Sequence, residues 1–322
     1  MRLVGLAAAA IAIAIAPAAA QQRAKIDFGT VGANAAIWQL FTAKNRGMFA
    51  ANGLDVDIVS TGMSSKTVQG LAAGTFMMAH GGIPDFIRAT EQGAPVKIVS
   101  ADLAVPPYRW NASKSIKSFA DLKGKKVMLA GTKDITYIYW RAITAKHGLN
   151  LADFEYLYSG ATNNRFAALV SGAVDATLLI QPFDFMAIAQ GFPVIGVQRD
   201  YTPNSPFTVF AANTEWASKN RATAVAFLKT MLAATAWLYD PKNRKEAVEI
   251  LTKETGAKPE DSENTYDFYI KELRAYRADG VMTDAAMQDI LGSLVAIEDL
   301  KEPLPPYSKY YDDSFLKAAR GN

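Results

Sequence analysis

The chain has 322 residues, half of them hydrophobic and 20% charged, and its formal net charge is +3. This near balance, without a dominant charged block, argues against nucleic-acid binding and against a polybasic membrane contact. The sequence has no cysteine, which excludes disulfides, thiolate metal sites and a thiol nucleophile.

The first 20 residues have the layout of a secretory signal peptide. Arg2 precedes an apolar run that breaks at Pro17 and ends in three alanines before Gln21, and small residues of this kind form an A-x-A cleavage site. A membrane anchor would need about 20 uninterrupted apolar residues. We therefore predict export, a mature chain from Gln21 and, since no cysteine at the cleavage point could carry a lipid, a soluble protein of the periplasm.

Strands and helices alternate along the following 80 residues. Short apolar or alternating runs indicate strands, and apolar residues at helical spacing that end at a glycine indicate helices. Ser64 or Ser65 is predicted to cap a helix that ends at Gly74. Strands separated by helices imply parallel pairing in an α/β sheet. The predicted elements are strand AKIDFGT, helix NAAIWQLFTAKNRGMFAANG, strand LDVDIVS, helix SSKTVQGLAAG, strand TFMMAH, helix PDFIRATEQG and strand VKIVS.

One chain path occurs twice. Residues 61–74, TGMSSKTVQGLAAG, match residues 159–172, SGATNNRFAALVSG, and the match continues without a gap through Gly93 and Gly191. Glycine and proline dominate the matches, and these residues fix backbone geometry. The copies are too far apart for a solenoid or propeller, whose units have about 20 to 50 residues. We interpret each copy as part of one lobe.

Two proline-bearing segments at the ends of the second copy are predicted to cross between the lobes. We place lobe one at residues 21–104 and 214–322, and lobe two at 105–213. Ligands of open α/β sheets bind beyond the carboxyl ends of the strands, so a cleft between the lobes is predicted to close on a ligand by hinge motion. The crossings are 101–113 and 199–213, further helices are predicted near 244–254, 260–278 and 283–297, and the tail 302–315 is predicted as an extended wrap.

Three motifs resemble those of a known protein family. They are NRGMFAANGLDVDIV after the first helix, DLKGK at 121–125 and G-x-x-D-A at 172–176. In this order the chain resembles the nitrate/sulfonate/taurine-type solute-binding proteins of ABC importers, a group that also includes binders of thiamine-precursor pyrimidines and of aromatic acids. The family often has an aspartate where this chain has Met77, and that departure weakens any ligand assignment made by analogy.

The resemblance implies a type II periplasmic-binding-protein fold of the α/β class. Each lobe is then a mixed sheet flanked by helices, with the ligand cleft between the lobes. It implies a monomer that binds a small-molecule solute, holds no cofactor and delivers the solute to an ABC permease in the inner membrane.

Polar residues at predicted helix starts are the first group of candidate ligand contacts. The first turn of a helix presents unpaired N–H groups and a partial positive charge that attract anions. The alternative for each side chain is that it only caps its helix. These residues are Asn34, Ser64, Ser65, Thr132, Thr162 and Asn163.

Aromatic, histidine and arginine side chains form the second group. Arg109 and Arg165 could bind a carboxylate or sulfonate through two hydrogen bonds, with surface salt bridges as the alternative. Trp38 could stack on a planar ligand or belong to the core. His80 stands at a predicted cleft edge, and with only two histidines in the chain we predict no metal site. Tyr108, Tyr137, Gln181 and Phe183 complete the predicted lining.

These observations predict a solute receptor of an ABC importer, with a small organic anion as the favoured ligand. An aromatic carboxylate or sulfonate fits the available arginines and rings. The alternatives are a periplasmic sensor subunit for a heteroaromatic solute such as a pyrimidine, and a pyrimidine-synthase-like enzyme. The pyrimidine synthase that resembles these receptors relies on a cysteine-rich motif, and this chain has no cysteine. The chain also lacks the G-x-S-x-G motif of serine hydrolases, so we predict that it is not an enzyme.

Overall fold

A computed structural model describes residues 22–321. The predicted signal segment, residues 1–20, lies outside this range. Two five-stranded mixed sheets form the framework. The first contains β1 (Ala24–Thr30), β2 (Leu54–Ser60), β3 (Met78–Gly82), β4 (Val96–Leu103) and β10 (Thr208–Asn213), and the second contains β5 (Arg109–Ala112), β6 (Lys126–Leu129), β7 (Glu155–Tyr158), β8 (Ala176–Leu179) and β9 (Val194–Val197).

The two sheets have the same strand order. It is β2-β1-β3-β10-β4 in the first sheet and β7-β6-β8-β5-β9 in the second. The pairs of β1 with β2 and β3, and of β6 with β7 and β8, are parallel. In each sheet the antiparallel strand, β10 or β5, is delivered by a crossing segment. The architecture is therefore the predicted two-sheet periplasmic-binding-protein fold.

The crossing strand β10 bears on the lobe boundaries. The predicted second lobe, residues 105–213, includes Thr208–Asn213, whose backbone pairs with β3 and β4 of the first sheet. A division by sheets would therefore end the second lobe before Thr208. All six residues of β10 are buried, as expected of a central strand.

Thirteen α-helices in the described range flank the sheets. The long α9 packs against α1 and α13, and it is the single helix within residues 22–321 that is long and apolar enough to cross a membrane, although 44% of that stretch is buried inside the protein. The helices are α1 (Trp38–Asn45), α2 (Met48–Ala51), α3 (Ser64–Ala72), α4 (Ile83–Glu91), α5 (Ile135–Lys146), α6 (Thr162–Val170), α7 (Phe183–Ala189), α8 (Thr214–Lys219), α9 (Arg221–Tyr239), α10 (Arg244–Thr255), α11 (Pro259–Tyr266), α12 (Asp284–Ala296) and α13 (Ser314–Arg320).

The repeated glycines have the backbone conformation that the repeat predicts. Gly74 and Gly172 both have φ +75°, and Gly93 and Gly191 have φ +80° and +83°. Residues with a side chain rarely adopt this left-handed backbone conformation. The two copies therefore share turns that favour glycine. Gly62 also has this conformation, at φ +79°, whereas its counterpart Gly160 does not have a positive φ.

Two local predictions were wrong, and a third, the extended tail, was correct except at its end. Neither Ser64 nor Ser65 caps α3, because the N-cap is Met63 and both serines lie inside the first turn. The helix predicted at 260–278 is α11 followed by a π-helical turn that ends at Glu272, just before the left-handed residue Arg274 at φ 45°. The tail does wrap the first sheet, pairing at Ile98 and Tyr311, but it then forms α13.

Candidate functional site

A cavity of about 470 Å³ lies between the two sheets. Its walls are the segments that follow the carboxyl ends of β1, β2, β3, β6, β7 and β8, together with the two crossings. Open α/β sheets bind ligands at this edge, and the volume is in the range of small-molecule sites. The lining includes Thr30 to Gly32, Asn34, Met63 to Ser65, His80 to Gly82, Asp85, Arg88, Tyr108, Ala130 to Ile135, Tyr158, Gly160, Thr162, Arg165, Ile180, Phe207 and Thr208.

The two copies of the repeat touch each other across this cavity. A Cβ atom at Gly160 would lie 2.5 Å from the Gly62 carbonyl oxygen and 2.8 Å from Cα of Met63. Nearby, the Ala35 amide donates to the Gln181 carbonyl oxygen at 2.9 Å. Backbone therefore meets backbone across the cleft, and this arrangement is a closed one.

Arg165 in the first turn of α6 is the main cation of the second sheet's wall. Its side chain is fully buried, and its described hydrogen bonds all go to main-chain oxygens: Nε donates to Leu178 at 3.0 Å, and Nη1 donates to Ser159 at 2.9 Å and to Gly160 at 2.6 Å. No carboxylate of residues 22–321 forms an ion pair with it. A buried cation without an anionic partner is costly, and the charge of Arg165 also acts on the nearby Asp134 carboxyl group.

A charged network spans the cleft beside Arg165. Arg88 of α4 pairs with Asp85 at 2.8 Å and with Asp299 at 2.6 Å. Asp299 also pairs with Lys133 of the opposite wall at 2.9 Å, and Arg88 donates to the Lys133 carbonyl oxygen. Asp299 therefore links both sides of the closed cleft. Burial raises the pKa of Asp85, and the nearby Ser64 hydroxyl and the charge of Arg88 oppose that shift.

Asp134 is a second carboxyl group in the lining. It is the N-cap of α5 and accepts hydrogen bonds from the amides of Thr136 and Tyr137, and also from the Thr136 hydroxyl at 2.6 Å. Burial raises its pKa to about 6 against these bonds. Near neutral pH it is therefore an acceptor for N–H or O–H groups.

Three aromatic rings complete the lining. Tyr108 is buried and its ring lies edge-on to Phe207 at 5.0 Å. Burial raises the pKa of Tyr108 to about 12, although the charge of Arg165 opposes this. Tyr158 is 42% exposed. The cavity thus offers apolar, planar contact surfaces beside a buried guanidinium.

The structure brings eight of the fourteen predicted site residues together. Seven of these eight lining residues are Asn34, Ser64, Ser65, His80, Tyr108, Thr132 and Arg165. Asn34 is also a cap, because its Oδ1 accepts the Ala36 amide at 2.8 Å. Thr162, the further helix-start candidate, lines the cavity too, although its hydroxyl accepts the Ile180 amide.

The other six lie away from the cavity. Trp38 is fully buried, and its indole donates to the Ala247 carbonyl oxygen at 3.1 Å, so it is a core residue rather than a stacking surface. Asn163 is exposed on α6, because it lies two positions before the buried Arg165 and residues so spaced point to different sides of a helix. Tyr137 packs against the main core, and Phe183 packs in a small core beside Phe166 at 5.8 Å.

Arg109 and Gln181 form a polar cluster of their own. Arg109 is 3.2 Å from Asp184, and its guanidinium lies 4.0 Å from the centre of the Phe268 ring. Gln181 donates to the same carboxylate at 2.9 Å. Arg109 therefore already has an anionic partner, which removes the reason to assign it a ligand.

The sequence interpretation missed four charged lining residues. They are Asp85, Arg88, Lys133 and Asp134. Lys133 and Asp134 follow Thr132 in the loop after β6, so their position beyond a strand's carboxyl end was an available signal. Asp85 and Arg88 sit one turn apart on α4, and only the packing of that helix against the cleft reveals them. Among residues 22–321 no cluster of three or more His, Asp or Glu side chains could hold a metal ion.

Solved structures with this fold include proteins with different named ligands. The periplasmic nitrate-binding protein NrtA from Synechocystis PCC 6803 superposes with a TM-score of 0.79 at 17% identity, over 94% of this chain and 90% of that one. The alkanesulfonate-binding protein SsuA from Xanthomonas axonopodis pv. citri, bound to MOPS, gives 0.74 at 17% identity, over 90% and 99%. The desulfurization enzyme DSZB also matches, at 0.67 and 15% identity, over 93% and 99%. At these identities the likeness establishes the fold alone.

Sequence comparison identifies the family. The putative binding protein YtlA of Bacillus subtilis is 23% identical over 279 residues, which are 84% of this chain and 81% of that protein. The family model described as NMT1/THI5 like matches residues 34–244, and this range includes most of the residues that line the cavity. The chain therefore belongs to the NMT1/THI5-like family.

Proposed function

We propose that this protein is a periplasmic solute-binding protein of an ABC importer. It captures a small organic anion, with an aromatic carboxylate or sulfonate favoured, and delivers it to an inner-membrane permease. The observation that carries the proposal is Arg165, a fully buried cation that lines the cleft and whose hydrogen bonds within residues 22–321 go to main-chain oxygens. An anion supplies the ion-pair partner that these residues do not.

The shape of the site supports this class of ligand. Its volume of about 470 Å³ suits a small organic molecule. Tyr108, Tyr158 and Phe207 provide ring faces and edges against which a planar group packs. The named ligands of the structural neighbours, nitrate and an alkanesulfonate, are also small oxyanions.

A neutral heteroaromatic ligand such as a pyrimidine is the second candidate. Asp85 and Asp134 line the cavity beside the rings and offer acceptors for the N–H groups of such a molecule. A sensor subunit would use the same closure to signal to a partner instead of a permease. A pyrimidine-synthase-like enzyme is less favoured, because the chain has no cysteine.

A matched pair of substitutions tests the anion site. Arg165→Lys keeps a positive charge but loses the planar fork that makes several bonds at once, and Arg109→Lys is the same change at an arginine outside the cavity. A screen by thermal shift and calorimetry with benzoate, methanesulfonate, taurine, nitrate and cytosine identifies the ligand first.

We expect Arg165→Lys to weaken binding of the anion about 10- to 100-fold, the loss associated with about 1.5 to 3 kcal/mol of charge-assisted hydrogen bonding. Arg109→Lys should keep the affinity within about threefold. Equal losses in both variants would contradict the assignment of Arg165. A response to cytosine alone would favour the pyrimidine receptor.

A further inference from the structure

A buried hydrogen-bond network at the end of β3 ends in a single histidine nitrogen at the cavity. His80 is only 3% exposed, and it lines the cavity from the first sheet. Its Nε2 lies 2.7 Å from Oδ2 of Asp102 on β4. Its Nδ1 makes no hydrogen bond to residues 22–321, and it is not among the fully enclosed polar atoms that lack a partner. Nδ1 is therefore the polar atom that His80 offers to the cleft.

The neighbours of Asp102 determine which histidine nitrogen carries a hydrogen. The same carboxylate accepts from the Thr208 hydroxyl at 3.2 Å and from the Gln39 side-chain amide. Three donors thus converge on Asp102, and a carboxylate in such a position acts as an acceptor. Burial raises the pKa of Asp102, while its hydrogen bond to His80 and the His80 charge oppose that shift. With Asp102 ionised, Nε2–H of His80 is a donor in either protonation state of the ring.

The role of Nδ1 then depends on one proton. In the neutral ring with hydrogen on Nε2, Nδ1 has a lone pair and accepts hydrogen bonds, and in the imidazolium ring Nδ1–H donates them. An oxyanion in the cavity has only acceptor atoms. Contact with it therefore requires the protonated ring.

We propose that His80 is a specificity-determining ligand contact whose Nδ1 takes up a proton from solvent when the cleft binds an oxyanion. The proton adds to the Nδ1 lone pair, no other bond changes, and the resulting Nδ1–H donates to an oxygen of the ligand. Asp102 stabilises the new positive charge. This inference rests on the proposed function, since it takes the ligand to be the carboxylate, sulfonate or nitrate class that Arg165 binds from the opposite wall.

The charged surroundings of His80 identify Asp102 as its direct titratable partner. Burial raises the pKa values of Tyr239, Tyr269 and Tyr276, and the nearby charge of Asp102 raises them further, so these hydroxyls stay neutral. The groups that face the same cavity are Asp85 and Arg88 of α4 beside β3, and Lys133, Asp134, Tyr108, Tyr158 and Arg165 of the opposite wall, while β1 and β10 present Thr30 and Thr208 there.

The ligand-free protein provides the first test, because the chain has only two histidines. In the His147→Gln background, 15N-histidine NMR reports His80 alone. In the neutral ring, reached by raising the pH, we expect the hydrogen on Nε2 and the lone pair on Nδ1. The opposite tautomer overturns the proposal, whatever the protein binds.

The second test counts protons. Calorimetry with benzoate, methanesulfonate and nitrate in buffers of different ionisation enthalpy gives the number of protons taken up per anion bound. We expect uptake by the wild type and by His147→Gln, whose histidine is exposed and hydrogen-bonded to Tyr201 at 3.0 Å. We expect His80→Gln to lose that uptake and to bind about tenfold more weakly.

The outcomes separate this inference from the proposed function. Anion binding without proton uptake overturns the role of His80 and leaves the receptor function in place. If none of the three anions binds, the oxyanion site and the role of His80 both fail. If His80→Gln does not fold, a shift of the wild-type Nδ1 signal towards the imidazolium value on anion addition still decides the question.

Discussion

Single charged residues decide what the cleft can bind. Arg165 and Arg109 both belong to the predicted second lobe, yet among residues 22–321 Arg109 has a carboxylate partner and Arg165 does not. The sequence identifies both as candidates for an anion because it shows residue type but not partners. The distinction depends on Asp184, which is 75 positions from Arg109 in the chain and 3.2 Å from it in space.

Asp184 itself gives a prediction about stability and pH. It is fully buried, its Oδ1 has no hydrogen-bond partner within residues 22–321, and burial raises its pKa to about 6 although Arg109 opposes this. The folded state therefore holds an extra proton between about pH 4, the unfolded value, and pH 6. The contribution of Asp184 to stability is fully present below this window and is lost as the pH rises through it.

Asp184→Asn cannot titrate and should lose this dependence. Relative to the wild type, its free energy of unfolding should rise by up to about 3 kcal/mol between pH 4 and pH 7. Urea denaturation at a series of pH values measures the difference, and Asp289→Asn on the exposed face of α12 supplies the same substitution at the surface. A difference between Asp184→Asn and wild type that is constant with pH would contradict the buried-carboxyl interpretation.

At the scale of elements, the two copies of the repeat share turns in which glycine has a positive φ. Gly172 ends α6 as Gly74 ends α3, both at φ +75°, and neither would bring a Cβ atom within 4 Å of another group. The cost of a side chain there is the backbone conformation alone. These positions were predictable because glycine is the residue that adopts this region at little cost.

Two glycine-to-alanine changes should therefore have opposite effects. Gly172→Ala should lower the free energy of unfolding by about 1 kcal/mol, because alanine is disfavoured in the left-handed region. Gly292→Ala, inside α12 with open space around it, should raise it by about 0.5 to 1 kcal/mol through better helix propensity. Urea unfolding measures both, and changes of the same sign would show that packing rather than backbone conformation governs these sites.

The pairing of β10 and the cleft-facing side of α4 could not be predicted from the local sequence pattern. The crossing strand β10 looked like the end of the second lobe, but its backbone completes the first sheet. The residues that face the cleft from α4, Asp85 and Arg88, are separated by one helical turn, as are those of many solvent-exposed faces. Local periodicity reveals that a helix has a polar side and does not reveal what that side meets.

At the scale of the whole molecule, closure of the cleft is directly testable. A Cβ atom at Gly32 of the first lobe would lie 3.9 Å from Cβ of Ala161 of the second, within the range of about 3.5 to 4.5 Å that disulfides require. The natural sequence has no cysteine, so two introduced cysteines could pair only with each other. The double variant Gly32→Cys with Ala161→Cys should therefore form a disulfide only in the closed arrangement.

We expect this cross-link to form under mild oxidation and to form faster when the cognate anion is present, as shown by mass spectrometry and non-reducing gels. Gly32→Cys combined with Gly292→Cys is the control, because the second position lies on the exposed face of α12 and outside the cavity. Failure of the first pair to cross-link with any oxidant would mean that the closed arrangement is not populated in solution.

The sequence by itself determined the class of protein and the general course of the chain. Signals for turns and alternating elements are local, because φ and hydrophobic period depend on a residue and its near neighbours. The two-sheet fold, the doubled chain path and the strand ends as the region of the site were therefore predictable, and the predicted family was confirmed.

Only the tertiary structure decided which side chains share the cleft. Trp38 and Arg109 lie outside the cavity, because Trp38 is held in the core and Arg109 pairs with a carboxylate. Asp85, Arg88 and Lys133 line the cavity because packing brings distant segments of the chain together. Burial and ion pairing are properties of residues far apart in the chain, and the energy of a charge depends on those surroundings more than on its own identity.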